Sequence, residues 1–148
     1  MKITFKGDYA LKIILDLALI YNNKSSIKEI SRRQDIPRKF LEHIVTGLKG
    51  AGYIRTVRGL GGGISLAKDP SQITLGEIIR LIEGTTSPIS CVSKSKRTRC
   101  NFENRCALRD VFEEVRDRTS EIIDKTTFKD IAERTRSLQK TIHLDYAI

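Results

Sequence analysis

The sequence predicts a mainly α-helical protein with one small β-hairpin. Three observations predict it. Two capped amphipathic stretches are separated only by Gln34, Asp35 and Ile36; a glycine-tipped hairpin follows them at once; and a later, highly charged stretch carries apolar residues in a four-three repeat. In that order they describe a winged helix-turn-helix domain followed by a long dimerisation helix.

The elements follow in order. Asp8 to Tyr21 is apolar around most of a helical wheel (Ala10, Leu11, Ile13, Ile14, Leu15, Leu17, Ala18, Leu19), the pattern of a helix buried on several sides. Ser26 and Glu29 form a capping-box signature for a short second helix. Pro37 suits the first turn of a third, whose stripe Phe40, Leu41, Ile44, Val45 and Leu48 faces a core until Gly50 and Gly52 end it. Tyr53 to Val57 and Ile64 to Ala67 read as paired strands around a turn with four glycines. Thr74 and Glu77 start a further helix, which Gly84 stops. Residues 85–106 lack periodicity, and so long an irregular stretch is expected to be functional or organised by a ligand. Leu108, Phe112, Val115, Thr119, Ile122 and Thr126 then form a seam for a partner helix. Counted from Asn104 to Lys125, that helix is about 33 Å long at 1.5 Å per residue, and a second copy of the chain is its natural cover. The expected organisation is a DNA-binding domain over 1–84, a cysteine loop over 85–106, a dimerisation helix over 107–134 and a weakly ordered tail over 135–148.

At 148 residues the chain has the size of one domain. Its net charge of +9 is uneven: residues 1–74 hold 13 Lys/Arg against 6 Asp/Glu, and residues 75–148 hold 14 against 12. A basic N-terminal half favours a polyanionic partner, nucleic acid or an anionic membrane surface. Lys12 and Asp16 interrupt the apolar run of the first helix, which is too short to cross a bilayer, and no secretion signal is readable; a cytoplasmic protein is expected. His43 and His143 stand in no catalytic frame, so neither enzymatic turnover nor a small-molecule substrate is expected.

A helix-turn-helix presents the start of its second helix to base edges in the major groove. Arg38, Lys39, Glu42 and His43 are the side chains so placed, and Arg58 at the glycine-flanked tip is a second contact to backbone or minor groove. Any one of these charges alone is more often an ordinary solvated residue than a base contact; the order of the elements and the local positive charge carry the DNA reading.

Cys91, Cys100 and Cys106 fall within 16 residues, with eight and five residues between them. An odd number of clustered cysteines points to metal or redox chemistry rather than a disulfide framework. Thiolates hold iron–sulfur clusters, which normally need four ligands, so one is missing. Lys94, Lys96, Arg97, Arg99 and Arg105 favour thiolate in either case. Three unligated thiols and a zinc site remain open, although zinc usually shows paired cysteines two to four residues apart.

Lys6-Gly7-Asp8-Tyr9-Ala10-Leu11, Phe40-Leu41-Glu42, Val57-Arg58-Gly59-Leu60-Gly61-Gly62-Gly63 and the three cysteines before the long helix resemble the bacterial iron–sulfur cluster regulators and nitric-oxide-sensitive repressors of the IscR, NsrR and RirA type. The resemblance spans nearly the whole chain. It implies a homodimeric repressor on a palindromic operator in double-stranded DNA, with crossing long helices and a 2Fe–2S or 4Fe–4S cluster near the partner's first helix. It adds Phe40 and Gly59 to the DNA-facing set, sends Arg58 into a minor groove and turns Glu42 and His43 toward bases, His43 replacing a more usual glutamine. Arg109 stands where some relatives carry a histidine ligand, and Asp8 matches an acidic alternative, which implies three cysteines plus Asp8 of the opposite subunit. The competing reading of Asp8 is a helix cap. Two rival functions stand beside this one: a repressor of the same fold whose cysteines are thiol sensors or zinc ligands, and an iron–sulfur electron carrier or scaffold.

Overall fold

The computed structural model describes residues 1–145, with side chains described to Thr141. The chain runs α1 (Phe5–Leu19), α2 (Ile27–Gln34), α3 (Arg38–Gly50), β1 (Ile54–Val57), β2 (Gly63–Leu66), α4 (Leu75–Glu83), α5 (Ala107–Lys125) and α6 (Phe128–Asp145). Single 3-10 turns lie at 70–72, 90–92 and 103–105.

Helix α1 is enclosed as its sequence predicts. Ala10, Ile13, Ile14 and Leu17 are fully buried, and α2, α3, α4, α6 and β2 all pack on it. It begins three residues before the apolar pattern does, because Thr4 caps it by accepting the Gly7 N–H at 3.3 Å. Asp8 therefore does not cap the helix; it sits inside the first turn and pairs with Lys12 at 2.7 Å.

The capping box at α2 is complete: Ser26 accepts from the Glu29 N–H, and Glu29 accepts from the Ser26 N–H at 2.7 Å. Asp35 adopts a left-handed conformation (φ 51°) that ends α2, and buried Ile36 anchors the connection. Pro37 is the residue before α3 rather than its first helical position. Leu41, Ile44, Val45 and Leu48 are buried, whereas Phe40 is 62% exposed and leaves the predicted core stripe. A seven-residue span makes two helical turns, so one apolar stripe has room for 41, 44, 45 and 48 against α1, and Phe40 lies at its edge.

Glu29 supplies a test of this local structure. Hydrogen bonds from the Ser26 backbone, the Ser26 side chain and Ser25 hold its carboxyl below the ordinary glutamate range. A carboxyl depressed on folding stabilises the fold above its unfolded pKa, and that stabilisation is lost as pH falls through the folded value. The melting temperature should therefore drop more steeply for the wild type than for Glu29→Gln as pH is lowered from about 5 to 3. Parallel curves in thermal denaturation would remove Glu29 from the acid response.

β1 and β2 pair antiparallel in the register Ile54–Leu66 to Val57–Gly63. A third, minimal strand joins them: Ser25 and Ile64 exchange backbone hydrogen bonds at 2.9 and 2.8 Å, which fastens the hairpin to the segment before α2. At the tip Gly59 has φ 92°, and a Cβ on Gly62 would lie 2.3 Å from the Val57 carbonyl oxygen, so the tight turn requires glycine at both positions.

The C-terminal region differs from expectation. α5 stops at Lys125, and a separate helix, α6, occupies much of the stretch expected as a tail; residues 146–148 of that stretch lie outside the described residues. Thr127 caps α6 with Asp130, and the turn is pinned to the start of α4 by Leu75 N–H to Thr126 C=O and Phe128 N–H to Ile73 C=O, both 2.9 Å. Phe128 and Ala132 are buried against the core, and Arg136 donates to the Leu19 carbonyl at 3.1 Å. Burial of one phenylalanine is worth about 2–3 kcal/mol, and Ile131 and Ala132 at helical spacing add to it in folding α6 back onto α1. On α5 the exposed apolar residues are Leu108, Val111, Val115 and Ile122; Val111 takes the place expected for Phe112, which is half-buried.

Candidate DNA interface and cysteine centre

The buried stripe of α3 faces α1, so its opposite face is open. Arg38, Lys39, Phe40, Glu42 and His43 are all exposed there, as are Arg58 and Gly59 on the wing. Arg38, Lys39 and Arg58 join no ion pair among the described residues, so their charge is uncompensated. Thr46 turns its hydroxyl back to the Glu42 backbone carbonyl at 2.8 Å. Phe40 meets Tyr9 edge-on at 6.4 Å and so bridges α3 to the first turns of α1.

What holds this face in place is a polar network. Asp16 is 3% exposed and accepts from Arg33 Nε at 2.9 Å, Arg33 Nη2 at 2.7 Å and Gln34 Nε2 at 2.8 Å. Arg33 Nη2 also donates to Ser25 Oγ at 2.7 Å. One guanidinium thus ties α1, α2 and the strand partner of the wing together. Sequence reasoning treated Asp16 only as an interruption of an apolar run; an acid in the middle of a buried helix was itself the signal, since such a charge needs a paired, hydrogen-bonded partner.

The three cysteines are free thiols: Cys91 half-buried on the 90–92 turn, Cys100 exposed, Cys106 half-buried at the start of α5. Among the described residues no group of three His, Cys, Asp or Glu is gathered closely enough to hold a metal ion, and Asp8 joins none. The donor set has the right chemistry for iron and sulfide, three thiols on one irregular segment, yet a single chain does not assemble it.

Two of the five basic residues of the segment, Lys94 and Arg97, are paired with acids, and Arg109 of α5 is paired as well. Lys94 pairs with Asp117 at 3.4 Å, Arg97 with Glu103, and Arg109 with Glu103 at 2.6 Å and Glu113 at 3.0 Å. Arg109, in the position where a histidine ligand was considered, is therefore committed to two carboxylates. Arg116 Nη1 donates to the Val92 carbonyl at 2.8 Å and ties the Cys91 turn to α5. Arg116 and Lys94 together hold the Asp117 carboxyl down at about 2, the Arg116 hydrogen bond contributing most. A cavity of about 250 Å³ opens beside Cys91 between Lys94, Arg97, Arg109, Glu113 and Arg116.

No described helix is long and apolar enough to cross a membrane. A family model described as Rrf2, iron-dependent transcriptional regulator, matches residues 3–134. The HTH-type transcriptional regulator CymR of Bacillus subtilis is 33% identical over 141 residues, covering 95% of this chain and 96% of CymR. The regulator NsrR of Geobacillus kaustophilus is 34% identical over 143 residues, covering 96% and 97%. Among solved structures, CymR of B. subtilis, described as its global cysteine regulator, superposes with a TM-score of 0.78 over 90% of this chain and 98% of that one at 32% identity. T. potens IscR superposes with a TM-score of 0.75 over 94% and 91% at 29% identity.

Proposed function

Because this chain belongs to the Rrf2 family of transcriptional regulators, we propose that it is a cytoplasmic, homodimeric repressor that binds a palindromic operator and responds to redox state or nitric oxide through Cys91, Cys100 and Cys106. The observation that carries the DNA reading is the uncompensated basic face formed by Arg38, Lys39 and Arg58, two of them at the start of α3 and one on the wing. In such a domain the helix enters the major groove, and the wing tip lies against the backbone or in a narrow minor groove. The exposed stripe Leu108, Val111, Val115 and Ile122 on α5 supports a dimer through that helix, and a two-fold pair reads two half-sites about 34 Å, one helical turn, apart.

In the first reading of the sensor, Cys91, Cys100 and Cys106 with Asp8 of the partner subunit would hold an iron–sulfur cluster, 2Fe–2S or 4Fe–4S. Such a group supplies one-electron redox chemistry and iron open to oxygen or nitric oxide. The chain's own part is to set the cysteine segment against α5 through the Arg116–Val92 bond, so that a change in that segment moves α5 and with it the spacing of the recognition helices. A second reading is a repressor of the same fold without a cluster, its cysteines acting as thiol sensors or zinc ligands; the likeness to CymR, described as a global cysteine regulator, supports the thiol form.

Iron, sulfide and zinc analysis of protein purified without oxygen separates the two. Stoichiometric iron and sulfide that disappear in Cys100→Ser, with operator affinity changing at least tenfold between the cluster states, is the expected result. Colourless protein with stoichiometric zinc, or affinity indifferent to oxidants and nitric oxide in both proteins, overturns the cluster. Salt-sensitive binding to a palindromic duplex dismisses an electron carrier or scaffold, which has no use for a basic winged domain.

A further inference from the structure

Glu83 closes α4 immediately before Gly84, where the cysteine-bearing segment begins. Its carboxylate reaches across the chain to the other end of the domain: Oε1 accepts the Thr4 N–H at 2.9 Å and the Thr4 hydroxyl at 2.8 Å. Thr4 is the cap of α1, so the negative charge sits at the positive end of that helix. Gly7 completes the arrangement. A Cβ there would lie 2.3 Å from the same Oε1 and 3.1 Å from Ile3, so the absence of a side chain is what leaves the carboxylate its place.

The turn held in this way carries Asp8 and Tyr9. Tyr9 in turn packs edge-on against Phe40 at 6.4 Å, and Phe40 belongs to α3, which presents Arg38 and Lys39. A continuous set of contacts thus runs from the root of the cysteine segment, through Glu83 and the first turn of α1, to the recognition helix. The clasp lies near solvent, where a charge-assisted hydrogen bond is strong enough to fix a geometry and weak enough to open when an adjoining segment shifts.

We infer that Glu83 is a positioning residue: its carboxylate, seated over Gly7 on the cap of α1, couples the state of the cysteine segment to the placement of the recognition helix. The inference rests on the redox reading given above. Glu83 touches neither DNA nor the cysteines in this account, so its loss should erase the response and spare the binding itself.

The test is operator affinity by fluorescence anisotropy with reduced and with oxidant- or nitric-oxide-treated protein, for the wild type, Glu83→Ala, Gly7→Ala and Glu83→Gln. Gly7→Ala breaks the same contact from the opposite side and leaves Glu83 in place. A ratio of roughly tenfold between the two states in the wild type should fall to within about twofold in both alanine variants, with untreated affinity within about threefold of wild type. Glu83→Gln, which keeps an acceptor oxygen, should retain most of the ratio. A lower melting temperature with an unchanged ratio in both alanine variants means that the clasp is only structural, and overturns the inference alone. A wild type with equal affinity in both states overturns the redox reading and the inference with it.

Discussion

Replacing Arg33 by Met should destabilise the protein by about 3 kcal/mol, the low end of the cost of breaking a buried ion pair. Met keeps the apolar stem but removes the guanidinium, leaving Asp16 inside α1 with Gln34 as its remaining partner. The low end applies because solvent reaches the Arg33 head group, whose side chain is 37% exposed, whereas that of Asp16 is 3% exposed. For a chain of this length the loss corresponds to a fall in melting temperature of about 6–12 °C. A second variant, Asp16→Leu with Arg33→Met, should lose less than Arg33→Met alone, since an apolar pair leaves no charge unmatched. Urea denaturation with both variants decides it, and a loss below about 1 kcal/mol in the single variant would show that the network contributes little. Operator binding should weaken alongside, because the same guanidinium joins α1 and α2 to Ser25, the strand partner of the wing.

Arg58→Ala should weaken operator binding by about 10–100-fold at fixed salt, the range for losing one well-placed base-edge or groove contact. Its melting temperature should stay at the wild-type value, since Arg58 is exposed and joins no ion pair among the described residues. Lys39→Ala should behave differently. As a phosphate contact it lowers affinity for all sequences alike and reduces the slope of log affinity against log salt by about one. Anisotropy titrations from low to moderate salt, on operator and unrelated duplex, separate the two roles. Equal affinity of Arg58→Ala and wild type for the operator would take the wing off the DNA.

Much of the fold was legible because it is written in local chemistry. The pairs Ser26 with Glu29 and Thr74 with Glu77 close real capping boxes, and Gly84 ends α4 in a left-handed conformation. The glycines of the wing sit where the backbone demands them. A cap or a tight turn is decided within a few residues, so residue type and spacing suffice. The failures have the opposite character. α6 is held by Phe128, Ile131 and Ala132, a short stripe at helical spacing whose seat on α1 is a contact between distant parts of the chain. Val111 rather than Phe112 faces outward on α5, because the rotation of a helix about its axis is set by what it packs on, here α4 and the 90–92 turn.

The candidate site divides along the same line. Arg38, Lys39, Glu42 and His43 of the candidate DNA face could be picked out because exposure on α3 follows from the period of its buried stripe, whereas Phe40, which that period put in the stripe, is exposed. Their support could not: the Asp16–Arg33–Gln34–Ser25 network joins residues between 8 and 18 positions apart.

The order of residues by itself determined where α2 and α4 start and where α4 stops, where the hairpin turns, which half of the chain is basic, and that three thiols share one segment. Tertiary structure alone decided that Asp16 has a cation, that Glu83 reaches the cap of α1, that α6 folds back, and that Lys94 of the loop answers Asp117 of α5. The physical reason is range. Caps and turns are settled by hydrogen bonds between neighbours in the chain, whereas buried charges and packed helices are settled by whichever distant group supplies the partner that water no longer can.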